Sequence, residues 1–335
     1  MTVNFAVLGA GRIGQVHARA IASVPGAALT AIADPVAEAV AAVTSAHGGA
    51  ARSIDAIEAA EDVDAVVICT PTDTHADLIE RFARAGKAVF CEKPVDLSLA
   101  RVRDCLKVVE ETGSVLMVGF NRRFDPDFRA LKARLDAGAA GKVEMITITS
   151  RDPGPPPISY IERSGGIFRD MTIHDFDVAR WLLGEEVESV AAMGSVLVDP
   201  AIGAAGDWDS VNVLLRTASG RQAVITNSRR ATYGYDQRIE VLGDRGLVSV
   251  GNVHESRVEE AGAAGYLRPP LENFFMSRYA AAYAAEIAAF TAAVAEGAPT
   301  PTTGHDGLMA LALADAAVLS ASEGRTVALA EVLAA

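Results

Sequence analysis

Hydrophobic and polar positions in the first 120 residues follow two alternating rhythms. Short β-branched or apolar runs at Val3–Leu8, Ala28–Ala33, Asp64–Cys69, Ala88–Phe90 and Val115–Phe120 are separated by helix-length segments. Strands alternating with helices predict βαβ units, a parallel sheet and right-handed crossovers. Runs such as AVVIC and VLMVGF are apolar throughout, as strands are when helices cover both faces of a sheet.

The rhythm changes after Phe120. A helix pattern over Asp127–Ala137 leads into apparent strands at Lys142–Ser150, Val187–Val198, Ser210–Leu215, Gln222–Asn227, Gln237–Leu242 and Leu247–Val250. Turn signals at Ala218-Ser219-Gly220 and Gly243-Asp244-Arg245-Gly246 sit at hairpin distances and predict a largely antiparallel sheet. Helices are expected at Phe168–Leu183, Phe275–Ala295 and Asp306–Ser322. The pattern predicts an α/β domain over residues 1–120 with a doubly wound parallel sheet. An α+β domain with a large, mostly antiparallel open sheet should follow over 121–335. Three stretches break the periodicity: Thr70–Asp77, Arg151–Gly166 and His254–Asn273.

Of the 335 residues, 50% are hydrophobic and 22% charged, which excludes a disordered chain. Thirty Lys and Arg against 43 Asp and Glu give a net charge of −13, with no basic cluster for a phosphate backbone. Nucleic acid and anionic membrane surfaces are therefore not expected partners. Cys69, Cys91 and Cys105 have no CxxC spacing and read as reduced, buried thiols. No signal peptide is evident, and the alanine-rich Phe274–Gly297 is interrupted by Arg278, Glu286 and Glu296. A cytoplasmic protein is expected.

Gly9-Ala10-Gly11-Arg12-Ile13-Gly14 fits G-x-G-x-x-G, follows the apolar run FAVL and opens a helical segment. In that setting Gly9 permits a tight turn, Gly11 lets the backbone approach a pyrophosphate, and Gly14 allows close packing of helix on strand. The phosphates would sit at the helix N-terminus. Asp34 ends the second strand twenty residues after Gly14. Its carboxylate suits adenosine ribose hydroxyls and repels a 2′-phosphate, and Pro35 gives that phosphate no cation, so NAD is the expected cofactor. Asp34 could instead serve as a cap for the following helix. Thr70-Pro71-Thr72 and His75, at the end of the third strand, are expected to line the cofactor cleft.

Cys91-Glu92-Lys93-Pro94 falls at the end of the fourth strand, the edge where doubly wound sheets bind ligands. A lysine there, beside Glu92, can stabilise a developing alkoxide and reach the cofactor. Further on, Asp170, His174 and Asp177 fall within about 60° of arc if the segment is an α-helix. An imidazole with a carboxylate one turn earlier has the makings of a general base with a fixed tautomer. No histidine shows metal-ligand spacing, and no G-x-S-x-G elbow is present. No metal is expected.

Taken together, GAGRIG, IADP, TPTDTHAD, EKP, GFNRRFD and the Asp170-to-His174 spacing resemble the glucose-fructose oxidoreductase/inositol dehydrogenase (Gfo/Idh/MocA) family over the whole length. The resemblance implies an N-terminal Rossmann domain, and a C-terminal domain whose open sheet packs against partner subunits, commonly as a homotetramer. It also implies that Lys93 contacts substrate and cofactor and that His174 is the base, with Asp170 as its partner. Arg122, Asp152 and Tyr235 match positions that line a polyol pocket. Segments such as SRDPGPPPISYI and YGYDQRIEVLG resemble the family's inositol-oxidising branch. That branch implies NAD-dependent oxidation of myo-inositol to the 2-keto compound. Asn121 stands where some relatives carry an apolar residue, leaving scyllo- or chiro-inositol, or a pyranose such as glucose, open as substrates. A non-catalytic dinucleotide sensor with the same fold is the alternative of a different class.

Overall fold

The computed structural model describes residues 1–334. In chain order the elements begin β1 (Val3–Leu8), α1 (Arg12–Ser23), β2 (Ala27–Ala33), α2 (Ala37–His47), β3 (Ala50–Ala51), α3 (Ile54–Glu58), β4 (Ala65–Ile68), α4 (His75–Arg84), β5 (Ala88–Cys91), α5 (Leu99–Thr112) and β6 (Leu116–Val118). They continue with α6 (Pro126–Asp136), β7 (Val143–Arg151), α7 (Ile158–Ser164), a π-turn at Phe168–Thr172, α8 (Ile173–Leu183), β8 (Val187–Ser195) and α9 (Pro200–Ala204). Then come β9 (Ser210–Thr217), β10 (Gln222–Ser228), β11 (Asp236–Gly243), β12 (Gly246–Val250), β13 (Glu260–Gly262) and β14 (Gly265–Leu267). The chain closes with α10 (Phe275–Arg278), α11 (Ala280–Glu296), α12 (Gly304–Glu323), β15 (Val327–Ala328) and α13 (Leu329–Ala334). None of these helices is long and apolar enough to cross a membrane.

The chain divides into two compact units, the first comprising Met1–Asp125 and Ala280–Met309. Its six-stranded sheet runs β3-β2-β1-β4-β5-β6 with every neighbouring pair parallel. The order reverses between β1 and β4, which opens a crevice at the carboxyl ends of those strands. Strand β4 is fully buried, and β1 is buried at every position except the half-buried Asn4, in keeping with their largely apolar sequences. The two-residue β3 is too short to show a period and is absent from the sequence-based expectation. Helix α11 packs along α1 and sets Phe290 6.0 Å from the ring of Phe5 and 5.7 Å from that of Phe90. A helix that returns from residue 280 to complete an N-terminal core leaves no local trace in the sequence.

The second unit comprises Pro126–Tyr279 and the chain from Ala310 onward. Its seven-stranded sheet runs β12-β11-β7-β10-β9-β8-β15, antiparallel except for the β7–β10 pair. Alternate positions such as Ile146, Ile148, Val213, Leu215, Ile225 and Val241 are buried, and α8 packs against β7 and β10. The remaining positions include Met145, Met193, Leu214, Leu242 and Leu247, all exposed. Met145, Leu242 and Leu247 are directly paired across three strands.

Several expected elements differ in detail. Strand β8 stops at Ser195 rather than Val198 because the next backbone N–H groups turn to a carboxylate. Leu197, Val198 and Asp199 donate to Asp209 at 2.8, 2.8 and 3.1 Å. The segment expected as one helix from Phe275 breaks at Tyr279 into α10 and α11. All three stretches that break the periodicity hold structure: a 3₁₀ turn and the start of α4 lie within Thr70–Asp77, α7 within Arg151–Gly166, and the hairpin β13–β14 within His254–Asn273. The helix expected from Phe168 opens with a π-turn before becoming α-helical at Ile173.

Candidate active site

The glycine-rich loop is shaped by close contact. Gly9 has φ +94°, and a Cβ there would lie 2.6 Å from the carbonyl oxygen of Cys69. A Cβ on Gly14 would lie 1.9 Å from the Gly9 carbonyl oxygen, so only glycine lets the loop fold back on the helix. Gly11, by contrast, would point a Cβ into open space. It caps α1 without a side-chain hydrogen bond, and the first turn of α1, at Arg12 and Ile13, carries no acidic residue. The N–H groups of a first helical turn have no intrahelical acceptors, so this end of α1 suits a pyrophosphate. Asp34 accepts from Ala10 N–H at 2.7 Å through one oxygen and from Val36 N–H at 2.8 Å through the other. It thus fixes the loop and caps α2, and a carboxylate with about four acceptor positions retains capacity for a ribose hydroxyl. These residues fit a dinucleotide.

Beyond β4, Thr70 and Thr74 share a hydroxyl hydrogen bond at 2.6 Å, and the Thr74 N–H donates to Pro71 at 3.0 Å, closing a 3₁₀ turn over Thr72–Thr74. His75 starts α4 and is 2% exposed, so it is less a cleft wall than an internal tie. Its ring lies between two backbone carbonyls, 2.7 Å from Pro94 and 2.8 Å from Thr70, and so joins the ends of β4 and β5. Glu92 also faces inward at 8% exposure. Its Oε1 lies 2.6 Å from His17 Nε2, and its Oε2 accepts from Lys93 N–H at 3.3 Å. Lys93, followed by a cis peptide bond to Pro94, is half-buried. Arg122, in the turn Asn121–Phe124, is 4% exposed.

In the second unit Asp170 occupies the π-turn and His174 the first turn of α8, both half-buried, whereas Asp177 is fully buried. A π-turn is wider than an α-turn, so the uniform 100° step used on the sequence does not hold across residues 168–172. The Asp170 carboxylate is held from two sides. Tyr160 OH donates to Oδ1 at 2.8 Å, and Nη1 of Arg229 approaches Oδ2 at 3.4 Å. Arg229 is 1% exposed and also lies 3.5 Å from Asp207, whose carboxyl is pushed up by burial against the pull of Arg229 and two backbone N–H groups. Neighbouring Asp175 is fully buried and accepts from Ser150 at 2.7 Å and Asn227 at 2.8 Å. These bonds tie α8 to β7 and β10, fixing the helix that carries the imidazole. Asp152 is half-buried, with its N–H on Ser228 O at 3.0 Å. Tyr235 is 6% exposed, its ring edge-on to Phe274 and Tyr279.

The structure therefore gathers Gly9, Asp34, Thr70, His75 and Lys93 at the carboxyl ends of the first sheet, and Asp170 with His174 at one end of α8. Tyr160, Arg229, Asp207 and Asp175 were not found from sequence. Arg229 meets Asp170 across 59 residues and Asp175 meets Asn227 across 52, whereas Tyr160 meets Asp170 across only ten, and no short motif marks such residues. Among the described residues, His17, Glu92 and Glu286 are the one group of metal-binding type, and all three are buried.

An oxidoreductase family with an NAD-binding Rossmann fold matches residues 3–120, and the GFO/IDH/MocA C-terminal domain matches residues 128–249. The chain is 63% identical over 330 residues to an inositol 2-dehydrogenase of Rhizobium meliloti, covering 98% of this chain and 100% of that one. A crystal structure of a myo-inositol dehydrogenase from Corynebacterium glutamicum superposes with a TM-score of 0.94 at 43% identity, covering 98% of this chain and 99% of that one. The scyllo-inositol dehydrogenase of Lactobacillus casei, solved with bound NAD(H) and scyllo-inositol, gives a TM-score of 0.92 at 29% identity, covering 98% of this chain and 100% of that one.

Proposed function

Because the chain belongs to the GFO/IDH/MocA family of oxidoreductases, with its NAD-binding Rossmann domain, we propose that it oxidises myo-inositol to 2-keto-myo-inositol with NAD. The observation that carries this reading is the full-length identity of 63% to an inositol 2-dehydrogenase, and the presence of Lys93, Asp170 and His174 in this chain supports it.

NAD, held by the glycine-rich loop and Asp34, would supply the acceptor for the hydride that leaves the carbinol carbon. The chain provides for the proton and the charge. His174 accepts the hydroxyl proton, and Asp170, steadied by Tyr160 and Arg229, orients the ring and stabilises it once protonated. Lys93 stabilises the alkoxide as the C–H bond breaks, and the products are a ketone, NADH and a proton. Gly9, Gly11, Arg12, Ile13, Gly14, Asp34, Thr70, Pro71 and Thr72 hold the dinucleotide. Arg122, Asp152 and Tyr235 are assigned to substrate hydroxyls, Tyr235 through its hydroxyl alone because its ring is committed to packing.

The exposed apolar positions on the outer face of the second sheet support contact with further copies of the chain, here read as a homotetramer. Three free buried cysteines and a dinucleotide cofactor suit a cytoplasmic enzyme. A second reading, scyllo-inositol as the preferred isomer, is favoured by the scyllo-inositol bound in the Lactobacillus casei relative. Initial rates of NAD and NADP reduction across myo-, scyllo- and chiro-inositol and glucose decide between them, since a polyol site discriminates by leaving polar groups unpaired with the wrong isomer.

A further inference from the structure

Helix α11 is rich in alanine, yet its buried face carries a carboxylic acid. Glu286 has no exposed surface, and neither of its oxygens has a hydrogen-bond partner among the described residues. It faces His17 of α1 and Glu92 just past β5, with one donor atom of each within 4.8 Å of the others. Rings of Phe90 and Tyr283 close around His17 at centroid distances of 5.0 and 5.5 Å. An isolated buried charge is among the costliest features a fold can hold, so this acid calls for a reason beyond packing.

We propose that His17, Glu92 and Glu286 form a positioning device for Lys93, in which Glu92 is clamped between the dinucleotide-binding helix and the Lys93 main chain while Glu286 stands beside it un-ionised. This rests on the reading of Lys93 as the group that meets the substrate hydroxyl. A carboxylate can only accept, so Nε2 of His17 carries the hydrogen of the 2.6 Å bond. The second Glu92 oxygen takes the Lys93 N–H at 3.3 Å. Gly119 makes room for this carboxylate: a Cβ there would stand 3.2 Å from Glu92 Cδ and Oε2, closer than ordinary contact, so a larger residue at 119 would push Glu92 out of its place. Burial, and then the charge of Glu92, hold the Glu286 acid well above the usual carboxylate range. The groups that face Glu286 are His17 from α1, Glu92 from the end of β5 and Cys69 from the end of β4.

A metal ion in this cluster is disfavoured by one distance. Ligand atoms on a tetrahedral zinc stand roughly 3.3 Å apart, given bonds of about 2.0–2.1 Å. The 2.6 Å between His17 and Glu92 is instead the length of a shared hydrogen.

Infrared spectra of the full-length protein with NAD, wild type against Glu286→Gln near neutral pH, test the proposal. The expected result is the carbonyl stretch of a protonated carboxylic acid in the wild type, lost in the variant. Absence of that difference, or a transition metal bound at one equivalent per chain and lost with Glu286, overturns it. Glu92→Gln should lower kcat about a hundredfold through misplacement of Lys93, with NADH affinity within about threefold. Loss of NADH affinity in parallel with kcat, or unchanged kcat, also contradicts it. If Lys93→Ala turns over normally, the role of Lys93 falls, while the infrared band still decides the state of Glu286.

Discussion

Arg229 reaches to within 3.4 Å of the Asp170 carboxylate from a side chain that is 1% exposed, and so joins the strand that ends at Ser228 to the turn ahead of His174. Arg229→Ala would leave Asp170 and Asp207 without their buried cation. Breaking such a pair costs about 3–5 kcal/mol, and kcat should fall at least tenfold. Tyr160, 49% exposed, offers the contrast. Tyr160→Phe should leave the unfolding midpoint nearly unchanged while lowering kcat several-fold. Equal activity in both variants and the wild type would show that Asp170 needs no such support.

Asp34 is predicted to serve structure and cofactor together. Asp34→Ala removes the acceptor of both Ala10 and Val36 N–H groups and should cost about 1–3 kcal/mol. NAD affinity should fall by at least about tenfold, the worth of one charge-assisted hydrogen bond. Calorimetric titration with NAD and a thermal melt of the same sample check both. Retained affinity with lowered stability would assign Asp34 to capping alone.

Glu286 gives a pH dependence of known sign. Its folded acid is held above the ordinary value of 4.5, so the stability it contributes is full below that value and is lost as pH rises towards the raised folded value. Glu286→Gln removes this dependence. Relative to wild type, the variant should gain about 1.4 kcal/mol of stability per pH unit above pH 4.5 while the folded acid stays neutral. Denaturant melts at pH 5, 6, 7 and 8 read the slope, and a flat difference contradicts it.

The outer face of the second sheet predicts a change of assembly. Leu242 pairs directly with Met145 and Leu247, all three exposed. Leu242→Asp should place a charge in the centre of that row and reduce the assembled mass measured by light scattering. An unchanged mass would put the subunit contacts elsewhere.

The parts of the fold that were legible in the sequence are those whose cause is local. Strands β1 and β4, buried on both sides apart from the half-buried Asn4, read as apolar runs, and the loop from Gly9 to Gly14 is dictated by contacts a Cβ would violate. What escaped has a distant cause. The hydrogen bonds that end β8 come from Asp209, ten to twelve residues on. His17 meets Glu92 across 75 residues, and Arg229 meets Asp170 across 59. The π-turn at Phe168–Thr172 also has no signature in a segment whose composition suits an ordinary helix.

The central claim, that Lys93 and His174 carry the oxidation of an inositol, is tested most directly by NADH formation from myo-inositol in Lys93→Ala and His174→Ala. Each should lose at least about a hundredfold in kcat while still binding NAD, since proton transfer and alkoxide stabilisation each contribute about that much or more. Turnover near wild type in either variant would contradict the account.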